Sequence, residues 1–287
     1  LPHRGGAPRR AARWPNGPRL CHNAAMRIFD FTDAIVRRPG ASVVKGLRAG
    51  DGQDPSLEGV LAEHAGYVAA LRAAGLAVQE LDPLEQFPDA IFVEDPALVF
   101  GNGAILLRPG APSREAEGEY LREVLGERFP VLLEQRDGHA DGGDVLVMTG
   151  RAYIGLSART DARGAQVLQG LMAQLGITAV VAATPPEVLH LKTASSLVDE
   201  ETVLATAPLA ASGIYANYRV LEVPAGDEGG ANVLRVRDHL LVGAGYPRLI
   251  DLLDGYGAKV VALPNAEIAK IDAGFTCMSL RWNEKSR

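Results

Sequence analysis

Residues 142–182, GGDVLVMTGRAYIGLSARTDARGAQVLQGLMAQLGITAVVA, resemble residues 229–263, GGANVLRVRDHLLVGAGYPRLIDLLDGYGAKVVAL. Both stretches predict a strand, a turn, a second strand, a helix and a third strand. The copies align at an offset of 88 positions, as between Val145 and Val233. Such a repeat calls for a search for further copies, because repeated units build propellers and solenoids.

Three more short segments resemble the first strand of this repeat. The five candidate first strands are residues 97–99, 145–147, 196–198, 233–235 and 277–279. Their centres are 37 to 51 residues apart. Five units at this pitch predict blades around one axis rather than two separate domains.

Three longer segments show helical spacing of apolar residues, namely 56–74, 112–128 and 160–175. Ser56 is a predicted N-cap, because its side chain can accept a hydrogen bond from the first helical turn. Gly176 is the predicted stop of the third helix, since glycine readily takes the left-handed conformation that ends helices.

Composition limits the classes of function. The chain has 287 residues, of which 47% are hydrophobic and 22% charged, and its net charge is −6. This charge argues against nucleic acid or an anionic membrane as a partner, because both require a basic face. Two cysteines do not make a disulfide framework. We therefore expect reduced thiols and a cytoplasmic protein.

Residues 1–25 contain five arginines, four prolines and no acidic residue. They lack the apolar core of a secretory signal. We expect a disordered N-terminal extension here, which also holds Cys21, and a single folded domain over residues 26–287 that begins at Met26. The cysteine that remains, Cys277, lies after a glycine and in an apolar run.

Polar residues precede the candidate first strands. They are Asp89, Glu94 and Asp95 before the first, Asp141 and Asp144 before the second, His190 and Lys192 before the third, and Cys277 at the fifth. Equivalent strand ends meet at the axis of a ring of blades, so we expect these side chains to line one central site.

The residue types at this centre fit nucleophilic catalysis on a cation. A thiol becomes a nucleophile beside a base, and a histidine oriented by a carboxylate is the usual base. Several carboxylates would raise the pKa of the thiol, unless the substrate itself carries a positive charge. A guanidinium matches carboxylates in bidentate geometry. Arg108 and Arg159 follow apolar strands and can bind a substrate carboxylate, which together describes arginine or a derivative.

Each residue also has a structural interpretation. Free cysteine packs as a small apolar residue, so Cys277 alone fits a core position. His190 alone fits a satisfied core or surface histidine, and the two arginines fit surface ion pairs. A non-catalytic arginine-binding protein and a zinc site both stay open, because cysteine, histidine and carboxylates are zinc ligands.

The order of several motifs resembles that of the dimethylarginine dimethylaminohydrolases, members of the guanidino-group-modifying superfamily. The resemblance runs from about Met26 to Trp282. Its motifs are FPDAIFVEDPAL (87–98), LLRPGAPSR (106–114), DGGDVL (141–146), YIGLSART (153–160), LHLKT (189–193), GGANV (229–233) and KIDAGFTCMSL (270–280). The family fold that this implies is a five-bladed α/β propeller of ββαβ units with pseudo-five-fold symmetry.

The resemblance also implies a role for each matching residue. Cys277 would be the nucleophile, His190 the general acid and base, and Asp141 the acid that orients the histidine. The implied substrate-binding residues are Asp89, Glu94, Asp95, Arg108, Arg159 and Ile271. The implied reaction converts methylated arginine to citrulline through a covalent thiouronium. No cofactor and no metal are implied, and a homodimer is a further expectation.

One segment departs from the family pattern. The flexible lid of the family often carries a leucine over the substrate, whereas residues 47–56 are rich in Gly and Asp, and no apolar lid residue is evident. An arginine deiminase-like activity, or one on another guanidino compound, is therefore the alternative prediction.

Overall fold

A computed structural model describes residues 28–50 and 52–284 of the chain. The expectation of a disordered extension at residues 1–25 lies outside the described residues, as does Cys21. The fifteen strands of the described part are β1 (Asp33–Arg37), β2 (Ala77–Leu81), β3 (Ala97–Phe100), β4 (Gly103–Leu106), β5 (Leu132–Glu134), β6 (Val145–Met148), β7 (Arg151–Leu156), β8 (Ala179–Ala183), β9 (Ser195–Leu197), β10 (Thr202–Ala205), β11 (Arg219–Glu222), β12 (Leu234–Val236), β13 (His239–Gly243), β14 (Lys259–Leu263) and β15 (Leu280–Trp282).

Helices connect these strands. The six α-helices in the same described ranges are α1 (Leu57–Ala73), α2 (Arg122–Arg128), α3 (Ala162–Gln174), α4 (Ala207–Ala211), α5 (Pro247–Leu253) and α6 (Ala266–Ala269). Short 3-10 helices are formed by Ala41–Lys45, Glu117–Leu121, Gly142–Asp144, Leu191–Thr193 and Glu228–Gly230. None of the helices in the described residues is long and apolar enough to cross a membrane.

The strands form five sheets of three strands each. In each sheet the innermost strand pairs antiparallel with the middle strand, and the middle strand pairs parallel with the outer one. The parallel pair is joined through a helix, as parallel strands require a crossover. The predicted five-bladed α/β propeller of ββαβ units is thus confirmed.

One blade combines the two ends of the described chain. Its sheet has the order β15-β1-β2, so the strand that comes last closes the ring on the strand that comes first. The inner strand of this blade begins at Leu280. The prediction of a strand at 277–279 was therefore wrong by three residues, because Cys277 lies in the turn before the strand.

Two of the three helix predictions agree closely with the structure. Ser56 caps α1 by accepting a hydrogen bond from the Gly59 backbone N–H at 3.1 Å. Gly176 follows α3 with a φ of +76°. The third prediction, 112–128, was wrong over its first half, because only residues 122–128 form an α-helix. The preceding residues turn so that Arg114 enters the interior, where it is 4% exposed.

The core consists of five separate clusters of buried apolar side chains. Each cluster joins residues of neighbouring elements, and the largest packs α1 against strands of two blades. Burial of these side chains holds the blades at fixed positions. The five short segments that precede the inner strands are consequently brought to the same end of the propeller axis.

Candidate active site

The segments before the inner strands form a ring of hydrogen bonds from blade to blade. Glu94 donates its backbone N–H to the carbonyl of Cys277 at 3.1 Å. The carboxylate of Asp95 accepts the Gly143 N–H at 3.0 Å, and that of Asp144 accepts the Leu191 N–H at 2.9 Å. Each bond joins a different pair of neighbouring blades. The predicted convergence of the polar residues is therefore present in the geometry.

His190 lies against a buried carboxylate. Its Nε2 is 3.0 Å from Oδ2 of Asp141, which has no exposed surface. The other oxygen of Asp141 accepts the Gly110 N–H at 2.7 Å, so the carboxylate is held in one orientation. Burial lowers the pKa of His190, but the hydrogen bond to Asp141 and the charges of Asp95 and nearby carboxylates outweigh it and raise the pKa to about 9. The imidazole is thus protonated at neutral pH.

Asp95 is paired with an arginine that the sequence argument did not assign to the site. One of its oxygens contacts Arg114 Nη1, and both side chains are buried. Arg114 also contacts both oxygens of Glu117, at 3.0 and 2.7 Å. Burial raises the pKa of Asp95, but the charge of Arg114 outweighs it, so this pKa lies below its usual range. Asp95 is therefore an anion beside His190.

Glu94 is occupied by protein partners. Its Oε1 lies 2.7 Å from Lys192 Nζ and 2.9 Å from an Arg281 Nη, and its Oε2 accepts the Thr276 hydroxyl at 2.8 Å. This cluster joins segments of three different blades. The role of Glu94 in holding a guanidinium stays a prediction, and its contacts suit a supporting position better.

Cys277 is partly exposed, and it is the free cysteine of the described residues. Asn232 Nδ2 lies 3.8 Å from its sulfur, and Asn232 Oδ1 accepts the Thr276 N–H at 3.0 Å. Burial raises the pKa of the thiol to about 12, and the charges of Asp95 and Glu94 add to the effect. In the empty site the sulfur is consequently a neutral thiol rather than a thiolate.

Asp89 anchors the segment that the resemblance identifies as a lid. Its Oδ1 accepts the Leu47 N–H at 2.9 Å, and Ile271 packs beside the same carboxylate at Gly46. Burial raises the pKa of Asp89, and the charge of Arg114 opposes this. Leu47 itself is 37% exposed. Leu47 is thus an exposed apolar side chain in this segment, and whether it covers the substrate stays a prediction.

The two predicted carboxylate-binding arginines lie on loops in direct contact. A side chain at Gly110 would come within 2.2 Å of the Arg159 carbonyl oxygen, so only glycine permits this approach. Arg108 Nε contacts Glu115 at 2.6 Å, and Arg159 lies close enough to Asp89 to oppose the rise in its pKa. Asp144 fixes the second loop by accepting the Ser157 hydroxyl at 2.6 Å.

The contacts of three candidate ligands bear on the zinc site that the sequence left open. The ligand atoms of Asp95, Asp141 and His190 lie within 4.8 Å of one another. However, both oxygens of each carboxylate already serve Arg114, backbone N–H groups or the imidazole. A zinc ion bound here would share these oxygens with their present partners.

Comparison with known proteins finds a family model and relatives that agree with the resemblance seen in the motifs. The family model described as Arginine deiminase matches residues 69–227. A dimethylarginine dimethylaminohydrolase of Pseudomonas aeruginosa is 33% identical over 254 residues, covering 88% of this chain and 100% of that protein.

Two solved structures extend the comparison. A cysteine-to-serine mutant of the Pseudomonas aeruginosa enzyme, complexed with citrulline, has a TM-score of 0.86 and 32% identity, covering 88% of this chain and 100% of that one. A histidine-to-glycine variant of a dimethylarginine dimethylaminohydrolase forms an adduct with S-methyl-L-thiocitrulline. Its TM-score is 0.85 at 32% identity, and it covers 88% of this chain and 99% of that one.

Proposed function

The chain belongs to the dimethylarginine dimethylaminohydrolase family, and on that premise we propose that it hydrolyses N-omega-methylated arginine to citrulline. Asymmetric dimethylarginine would release dimethylamine, and monomethylarginine would release methylamine. The observation that carries the proposal is the group of Cys277, Asp95 and a histidine held by Asp141 at one end of the axis. We place this activity in a single catalytic domain over residues 26–287.

The thiol requires the substrate for its activation. With a pKa of about 12, Cys277 holds its proton in the empty site, mainly because of burial and then because of the charge of Asp95. A guanidinium bound against Asp95 would offset that charge and favour loss of the thiol proton to solvent, since His190 already carries a proton. The substrate cation is thus a part of the catalytic electrostatics, which explains why a thiol enzyme tolerates buried anions beside its sulfur.

In the first half-reaction the Cys277 thiolate attacks the guanidinium carbon and forms a C–S bond. The C–N bond to the methylated nitrogen then breaks, and that nitrogen leaves as a neutral amine with the proton of His190. The pKa of about 9 suits this role, because His190 is protonated at neutral pH. Asp141 keeps the imidazole in position and stabilises its charge.

In the second half-reaction the neutral His190 accepts a proton from water, which attacks the carbon of the S-alkylthiouronium. The C–S bond then breaks, and the proton of the new hydroxyl group passes to the departing sulfur. Citrulline leaves, and Cys277 returns as a neutral thiol beside a protonated imidazole. The adduct of a relative with S-methyl-L-thiocitrulline supports a covalent route of this kind. The relative with its cysteine replaced and citrulline bound supports the product.

The remaining residues would orient the substrate. Arg108 and Arg159 are proposed to bind the α-carboxylate, since arginine matches carboxylates in bidentate geometry. We propose that Asp89 receives the α-amino group and that the backbone of Ile271 contacts the substrate; atoms of both residues lie next to Gly46. We assign Glu94 to a supporting position, where it pairs with Lys192 and Arg281.

Citrulline release from asymmetric dimethylarginine, monomethylarginine and arginine, measured side by side, tests the proposal. We expect turnover of the methylated substrates. Cys277→Ser should abolish it while the circular dichroism spectrum and melting temperature stay unchanged, and Cys21→Ser serves as the matched cysteine control with full activity. Turnover of none of the three compounds would overturn the proposal.

The second candidate is arginine deimination, which the match to the arginine deiminase model favours. Turnover of arginine alone would select it. The two candidates share the same thiol chemistry and differ in the leaving group, which is ammonia for arginine and a methylated amine for its derivatives. The side-by-side measurement therefore separates them without further variants.

Two further expectations from the sequence are also proposals. We propose a cytoplasmic location, supported by the low cysteine content and its reduced thiols. We propose a homodimer, which sedimentation analysis of the purified full chain would test directly. A single species with the mass of one chain at micromolar concentration would contradict the dimer.

A further inference from the structure

A cavity, the axial cavity, lies among the inner strands of the five blades. Its volume is about 520 Å³, and residues of all five inner strands or their adjoining turns line it. Glu94 and Lys192 form part of its lining, whereas Cys277, His190 and Asp141 do not. The volume lies within the ordinary range of small-molecule sites. The axial cavity therefore shares Glu94 with the proposed site residues but contains none of the three proposed catalytic residues.

The walls of the axial cavity are mainly apolar. Side chains from four different blades face it, and examples are Leu98, Val147, Leu197 and Leu234. Water confined between such walls forms fewer hydrogen bonds than in bulk, so displacement by an apolar group is favourable. The cavity therefore suits a ligand with an aliphatic portion.

The polar part of the lining carries a surplus of positive charge. Two buried cations, Lys192 and Arg281, stand against one carboxylate, that of Glu94. Both contact the same oxygen of Glu94, at 2.7 and 2.9 Å. A negatively charged ligand would neutralise the positive charge that remains in this lining.

Arg281 supplies an independent sign of a missing acceptor. Its side chain is nine-tenths buried, since only 10% is exposed. Its Nη1 bonds the carbonyls of Thr276 and Ser279, and an Nη contacts Glu94. Its Nε, however, is buried without a hydrogen-bond partner among the described residues. A buried charged donor without a partner costs free energy, so a ligand that offers a hydrogen-bond acceptor to this N–H would bind favourably.

We propose that the axial cavity is a binding site for a medium-chain aliphatic carboxylate. The carboxylate would accept the Nε–H of Arg281, and the chain would extend along the apolar walls formed by Leu98, Val147 and Leu234. A neutral amphiphile of equal length satisfies the walls but not the surplus charge. A small inorganic anion satisfies the charge but leaves the walls exposed to water. The proposal does not depend on the reaction assigned to the active site.

Titration calorimetry of the full chain with octanoate at pH 7.5 tests the proposal, with octan-1-ol and inorganic phosphate as comparison probes. We expect one octanoate per chain and at least tenfold weaker binding of both comparison probes. Saturating citrulline should leave octanoate binding unchanged, because none of the three proposed catalytic residues lines the axial cavity. Absence of octanoate binding up to its solubility, or full competition by citrulline, would overturn the proposal.

A pair of matched variants locates the bound octanoate. Val147→Phe fills the cavity from a partly buried position, whereas Val180→Phe adds the same bulk on the surface, where Val180 is 36% exposed. We expect at least a tenfold loss of octanoate affinity in the first variant and none in the second. Equal affinity in both would contradict the proposed location. Where Val147→Phe does not fold, nuclear Overhauser contacts between octanoate and the Val147 or Leu234 methyl groups in the wild-type protein decide the same question.

Discussion

The high pKa of Cys277 predicts a strong preference for cationic alkylating reagents over neutral ones. The thiol has a pKa of about 12 in the empty site, against an ordinary value of 9.0. At pH 8 this leaves about one thiol in ten thousand ionised, compared with about one in ten for the ordinary thiol. A neutral reagent should therefore react more slowly than with a free thiol by about thirtyfold or more, because the greater nucleophilicity of a high-pKa thiolate only partly offsets the loss of thiolate.

A cation in the site should reverse most of this suppression. Two opposite charges 4 Å apart interact by about 4 kcal/mol at the effective dielectric of a partly exposed site, which corresponds to about three powers of ten in rate. The pair 2-chloroacetamide and 2-chloroacetamidine differs mainly in charge. We expect the ratio of amidine to amide rates on Cys277 to exceed the same ratio on N-acetylcysteine by at least about 100-fold.

The assay follows alkylation by mass spectrometry in a Cys21→Ser background, so that Cys277 is the reporter. Asp95→Asn provides a control with two opposite expectations. Removal of this anion should speed the reaction with the neutral amide, because the thiol pKa falls. It should also reduce the preference for the amidine. A normalised ratio near one, or an amide rate that levels off below pH 9, would refute the electrostatic account of the thiol.

Three substitutions give further expected outcomes. Asp141→Asn should move the alkaline limit of kcat/KM from about pH 9 toward the ordinary histidine value of 6.5. His190 must be protonated to release the amine, and Asp141 raises the pKa of this histidine. An unchanged pH profile would contradict this expectation. Gly143→Ala should lower kcat at least about tenfold with little change in melting temperature. The added Cβ would lie 2.8 Å from Asp95 Oδ1 and 3.1 Å from the His190 ring. A kcat equal to that of the wild-type protein would show that the site adapts to the methyl group. Leu47→Ala should raise KM severalfold and leave the circular dichroism spectrum unchanged, because Leu47 is an exposed apolar residue of the proposed lid. An unchanged KM would exclude a role of Leu47 in covering the substrate.

The repeated pattern in the sequence was sufficient to predict the blades. Apolar first strands and the polar residues before them recur at a regular pitch, so the five-fold arrangement and the meeting of Asp95, Asp141 and His190 followed from position alone. The strand at the fifth unit was placed too early, since Cys277 and Met278 are apolar but their backbone belongs to the turn. Hydrophobicity does not distinguish a buried turn from a buried strand.

The partners of buried charges could not be predicted in the same way. Arg114 was part of a quoted motif, and its spacing to Glu117 fits an i, i+3 pair, yet only the fold brings it to Asp95. Likewise, the pairing of Glu94 with Lys192 and Arg281 joins residues far apart in the chain. Such contacts depend on how blades meet, which local patterns do not encode.

The closure of the ring by β15 has a consequence for the order of events during synthesis. Cys277 follows every other proposed site residue in the chain, and it precedes by three residues the strand that pairs with β1. On the ribosome, four blades can be complete before this segment emerges. The nucleophile therefore reaches its histidine and carboxylates only when the last strand pairs with β1. Completion of the fold and assembly of the proposed active site thus occur in the same step.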